Sequence, residues 1–140
     1  MTEPSTSQQS RRSITIRRLT LVLFLYFGWY VGCAVVALWR AASMRGEWYL
    51  PAQGDAYTGS SEAWPGALDA VWPLLTYTAL LGNYVAVPAV VFAGFRLADP
   101  EVRASRATWT WLLVGALLVA GTVVVGSSDP GDQVRNWILD

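Results

Sequence analysis

The sequence predicts an all-α integral membrane protein with three transmembrane helices, and three observations carry that reading. First, Leu19–Trp39, Ala70–Phe95 and Ala107–Ser128 hold no charged residue over 21, 26 and 22 positions. At about 1.5 Å of helix rise per residue they reach roughly 31, 39 and 33 Å, against a hydrocarbon core of about 30 Å. Second, the 140-residue chain is 54% hydrophobic and 14% charged, which leaves too little polar chain to cover three such helices in water. Third, the arginines segregate. With a cytoplasmic N-terminus, Arg11, Arg12, Arg17, Arg18, Arg96, Arg103 and Arg106 fall inside, against Glu3, Asp99 and Glu101. Only Arg40, Arg45 and Arg135 then fall outside, where Glu47, Asp55, Glu62, Asp69, Asp129, Asp132 and Asp140 gather. This is the positive-inside bias, read close to span ends, and a net charge of zero conceals it.

Residues 1–18 form a basic cytoplasmic tail whose Ser- and Gln-rich start is expected to be disordered. Ser10-Arg11-Arg12-Ser13-Ile14 and Tyr30-Val31-Gly32-Cys33 loosely resemble a twin-arginine signal and a lipoprotein cleavage box. The first lacks the usual aromatic after the arginines, and the second has Tyr30 where a Leu-like residue belongs. The apolar run also continues past Cys33 to Trp39, so an uncleaved first span over 19–39 is expected. Residues 40–69 make an external, aromatic-rich loop. Within it Gly46-Glu47-Trp48-Tyr49-Leu50-Pro51 and Ser61-Glu62-Ala63-Trp64-Pro65-Gly66 each combine an acid, an aromatic and a turn-forming proline, with Tyr57 between them.

The second span, 70–95, begins with Trp72-Pro73 in its first turn, where proline's missing N–H does no harm. Pro88 removes one helix hydrogen bond, frees the carbonyl of Tyr84 and is expected to bend the helix. In the cytoplasmic turn 96–106, Asp99-Pro100-Glu101 reads as a helix start with Asp99 as cap. The third helix is therefore expected to begin there, ahead of its span at 107–128. Only Leu97 and Ala98 separate Arg96 from that cap, so spans two and three are expected to pair as a tight antiparallel hairpin. Residues 129–140 form an external interfacial tail. Its Asp129-Pro130-Gly131-Asp132 reads as a helix cap, and Val134, Trp137 and Ile138 share one face of a short amphipathic helix.

Candidate sites follow from chemistry placed where lipid is the solvent. Asn83 lies mid-span, five residues before Pro88, with Thr76, Tyr77 and Tyr84 nearby. In the first span Tyr26, Trp29, Tyr30 and Cys33 form a stripe at helical spacing. Asn83, Tyr84, Pro88, Trp29 and Tyr30 are thus a candidate polar site, with Asn83 expected to hydrogen-bond to Trp29 or Tyr30. It acts either as a structural clamp or as the lining of a small polar-aromatic pocket. Gly28/Gly32 and Gly82/Ala86, with Ala89/Ala93 and Ala116/Ala120, set small residues at four-residue spacing and are candidate packing faces. Trp48, Tyr49, Trp64 and Trp137 are the candidate external partner surface; the alternative is a loop lying on the lipid.

The chain has no histidine, no lysine and one cysteine, Cys33. Histidine-ligated haem, an ordinary zinc site, a Schiff base and a Walker-type phosphate loop each lack their residue, and no disulfide can staple the loop. No Asp or Glu interrupts a span, which removes the usual carboxylate of proton-coupled transport. No catalytic residue, cofactor or metal is assigned. Arginine without lysine, with abundant Ala, Val, Gly and Trp, points to a GC-rich coding bias, and a bacterial plasma membrane is the expected location. Membrane lipids and a membrane-protein partner or a second copy are the expected partners, and nucleic acid is not among them. The expected function is a non-catalytic accessory subunit or assembly factor of a membrane complex. The alternatives are an oligomeric transporter or channel component and an interfacial enzyme using loop carboxylates.

Overall fold

The computed structural model describes residues 6–52, 54–55, 64 and 66–139, with 6–13 and 68 described by backbone alone. Residues 1–5, Tyr57, Glu62, Asp140 and most of the motif at 61–66 lie outside the described residues, as do the side chains of Arg11 and Arg12. The described chain is all-helical: α1 (Thr6–Arg45), a 3-10 turn at Gly66–Ala70, α2 (Trp72–Ala98), α3 (Pro100–Ala104), α4 (Arg106–Gly126) and α5 (Asp129–Leu139). Three helical stretches, Ile14–Arg45, Trp72–Ala98 and Arg106–Gly126, are long and apolar enough to cross a membrane.

α1 outruns the apolar stretch at both ends. No proline or glycine follows Pro4 before Gly28, so nothing stops the helix from starting at Thr6; the expected disorder of the tail gives way to helix from there on. Its other end is set by Gly46, whose φ of +80° suits a glycine, and whose N–H donates to the Ala42 carbonyl at 2.9 Å. α2 opens with Pro73 in its first turn and runs as one helix through Pro88.

Asp99 caps α3 as its sequence implies: the side chain accepts from the Glu101 N–H at 3.0 Å. The helix does not continue into the third long stretch, however. Ser105 takes an extended conformation (φ −102°, ψ 96°) and divides α3 from α4. Two local contacts hold this break. Arg103 Nε donates to the Leu97 carbonyl at 3.1 Å, and Val102 is turned inward to 2% exposure.

α5 is capped one residue earlier than expected. The Ser128 carbonyl accepts from the Asp132 N–H at 2.8 Å, and its hydroxyl oxygen accepts from the Gly131 N–H at 3.4 Å. Asp129 is already in the first turn, beside the positive end of the helix dipole.

Two buried clusters organise the packing. The three-helix cluster joins α1, α2 and α4 through Leu23, Ala86, Ala93, Leu112, Ala116 and Val119, and Val102 of α3 closes one end. The cap cluster joins the later part of α1 to the first turns of α2, with Trp64 of the loop and α5: Ala37, Ala41, Trp64, Leu75, Trp137 and Ile138. Beside α1 and α2, α5 takes up the height that α4 leaves when it ends at Gly126. The 27 residues of α2 and 21 of α4 correspond to about 40 and 31 Å.

Candidate functional site

Between the two clusters, polar side chains from α1, α2 and the end of α4 meet in a belt. The Tyr26 hydroxyl donates to the Gly82 carbonyl at 2.8 Å, and the Trp29 indole N–H donates to the Thr78 hydroxyl at 2.9 Å. Thr78 in turn donates to its own helix at the Leu74 carbonyl, 2.7 Å away, and lies 3.6 Å from the half-buried Cys33 thiol. Asn83 Nδ2 donates to the Ser127 hydroxyl at 3.3 Å. Positions 26, 29, 30 and 33 share one face of α1 because they follow helical spacing, and three of them bond to or contact α2 here.

Close approach depends on absent side chains. A Cβ at Gly82 would lie 3.3 Å from the Tyr26 hydroxyl oxygen. One at Gly126 would sit 2.6 Å from the Tyr30 hydroxyl oxygen and 3.3 Å from Asn83 Oδ1. Tyr30 and Asn83 thus converge over Gly126, and the Tyr26 and Tyr30 rings stack at 6.3 Å between centroids. On the α5 side of the belt is a chamber of about 200 Å³. Tyr30, Thr78, Asn83 and Arg135 give it hydrogen-bonding groups, while Leu38, Leu75 and Ile138 are among its apolar walls. Arg135 pairs with Asp132 at 2.9 Å, both of them partly exposed. The arrangement can orient a small polar group inside an apolar wall. Its nearest thiol is held by a hydroxyl rather than by a base.

The structure brings together only part of the expected site. Asn83 and Tyr30 line the chamber. Asn83 crosses to α4 rather than to α1, because Ser127 ends α4 at its level while Trp29 is taken by Thr78. Tyr84 is 78% exposed and points away, and Pro88 is exposed and not part of the lining. Thr76 bonds the Trp72 carbonyl of its own helix. Thr78, Ser127, Gly126 and Arg135 carry no local signal of a site in the sequence; Thr78 lies five residues before Asn83, a spacing that gives little hint of a shared site.

The packing faces also divide. Gly82 and Ala86 are buried, whereas Gly28 and Gly32 face outward with no atom within 4 Å of where a Cβ would stand. Gly115 makes the close approach to α1 instead: a Cβ there would lie 3.3 Å from that of Leu23. In the expected partner surface, Trp48 is 75% exposed, and Tyr49 is half-buried beneath the Arg45 guanidinium, 4.4 Å from its ring centre. Trp64 and Trp137 are 3% and 4% exposed, because the cap cluster consumes them as core. Compared with known proteins, the chain matches no family model, no curated protein and no solved structure.

Proposed function

We propose that α1, α2 and α4 cross a bacterial plasma membrane, α2 and α4 as an antiparallel hairpin, with the N-terminus cytoplasmic and the C-terminus external. In that setting the protein serves as a non-catalytic accessory subunit or assembly factor of a larger membrane complex. The observation that carries this reading is the filled seam of the three-helix cluster. Leu23, Ala86, Ala93, Leu112 and Val119 are at most 1% exposed, so the seam that these five residues form is packed rather than open to a solute. Binding capacity lies on the outside instead, where Gly28 and Gly32 on α1 leave room for the backbone of a partner helix.

Purification of the tagged protein in mild detergent, with partners identified by mass spectrometry, tests this. The expected result is a stoichiometric assembly with another membrane protein. A homo-oligomer that carries solute in liposomes would replace this reading with the transport one, which the chamber beside Asn83 favours. A monomer without partners would end both.

A further inference from the structure

A second, larger concavity lies at the opposite end of the three-helix cluster from the belt. It is an open groove of about 760 Å³ between the last turns of α2, the α3 turn and the first turns of α4. Gly94, Leu97 and Leu113 give it an apolar floor, and Arg103, Arg106 and Trp109 stand around it. Its lining carries two guanidinium groups and no carboxylate.

These arginines are available to an anion. Arg103 uses Nε on the Leu97 carbonyl, which anchors the base of its guanidinium and leaves the terminal nitrogens for another acceptor. The Arg106 side chain makes no hydrogen bond or ion pair among the described residues. Asp99, close by in sequence, has its Oδ1 committed to the Glu101 N–H. Ser105 makes no side-chain cap on α4, so the positive end of that helix dipole adds to the same field. At Gly94 no atom lies within 4 Å of where a Cβ would stand, so the floor is open to a chain laid along it.

We propose that this groove binds an anionic phospholipid, with its phosphate between Arg103 and Arg106 and an acyl chain along Gly94, Leu97 and Leu113. The assignment rests on the membrane reading above, which sets Arg96 and Arg106 at the ends of uncharged spans and therefore at headgroup level. Basic pockets between spans on the cytoplasmic side are suited to acidic headgroups. A free phosphate would satisfy the arginines but leave the apolar floor unused.

The test is native mass spectrometry of the intact protein in mild detergent. Phosphatidylglycerol, phosphatidylcholine or inorganic phosphate is added in separate titrations. Phosphatidylglycerol is expected to bind at one equivalent and to outcompete phosphatidylcholine. Removing each charge should weaken it about fivefold, so Arg103→Gln/Arg106→Gln loses roughly 25-fold, while Arg45→Gln at the other end of the molecule loses nothing. Gly94→Leu, which keeps both charges and fills the floor, is expected to weaken phosphatidylglycerol as well. Should the double variant misfold, Arg106→Gln alone carries the test, because its side chain has no hydrogen bond or ion pair among the described residues to lose. Equal binding of the two lipids, unchanged binding in these variants, or displacement by an equal concentration of inorganic phosphate would overturn the site. Release of the protein from membranes by alkaline carbonate would instead overturn insertion itself, so the two failures are separable.

Discussion

The three-helix cluster and the cap cluster bury side chains of different kinds. The first is built from Ala, Val and Leu on long helices, with Gly115 letting α4 approach Leu23. Such packing suits a solvent as apolar as the side chains, where close van der Waals fit replaces the hydrophobic drive. The second cluster depends on two tryptophans, one from the loop and one from an 11-residue helix, set against Leu75 and two alanines of α1. A helix of that length does not persist alone in water, so α5 exists as a helix because its Trp137 and Ile138 are buried. The first region thus joins three long helices, and the second makes its own helix.

The sharpest break of this contrast is Trp137→Ala. Removing a buried tryptophan costs about 3–5 kcal/mol, and the loss should be confined to the cap. Hydrogen exchange followed by mass spectrometry is expected to show α5 unprotected, with α1 around Leu23 and α4 around Leu112 still protected. Equal loss at both ends would mean one cooperative unit instead of two.

Next in size is Gly131→Ala. A Cβ there would run into the backbone carbonyl of Val125 at the junction of α4 and α5, where no side-chain movement can relieve it. Overpacking of this kind costs about 1–3 kcal/mol. Proteolysis is expected to cut the variant near Ser127–Ser128 and leave α1, α2 and α4 intact.

Asn83→Leu is a smaller test, aimed at the belt between the clusters. Interhelical hydrogen bonds in bilayers average about 0.6 kcal/mol and reach about 1.7, so detergent unfolding should shift slightly, and Ser127→Ala should produce no further loss in the double variant. Additive losses would show that the two side chains act separately. The smallest effect is expected from Gly28→Leu. It fills open space on α1 and should change stability by no more than about 0.5 kcal/mol, yet it should release a partner protein that packs there. Retention of the partner would move the docking face elsewhere.

This division also explains what was legible in the chain. The three long helices, the first turn at Trp72-Pro73 and the cap at Asp99 are local matters of apolar length, proline placement and a side-chain oxygen, and each is written in consecutive residues. The break at Ser105 is not, since Pro100–Ala104 and Arg106–Gly126 are both helical and only the Ser105 backbone departs. The burial of Trp64 and Trp137 was equally hidden. A tryptophan in an aromatic loop has the same local signature whether it faces a partner or a core, and the cap that decides the matter joins residues far apart in sequence. Asn83 was recognisable as a polar group needing a bond across helices. Its partner, Ser127, depends on where α4 stops relative to α2, a register that no single segment contains.

Cys33 has a practical meaning that follows from its position. It is the only thiol in the chain, half-buried, beside Thr78 and on the chamber wall that α5 helps to close. The protein therefore carries a native reporter. A water-soluble maleimide is expected to alkylate Cys33 faster in Trp137→Ala, where α5 is released, and an unchanged rate would show that α5 does not shield the thiol.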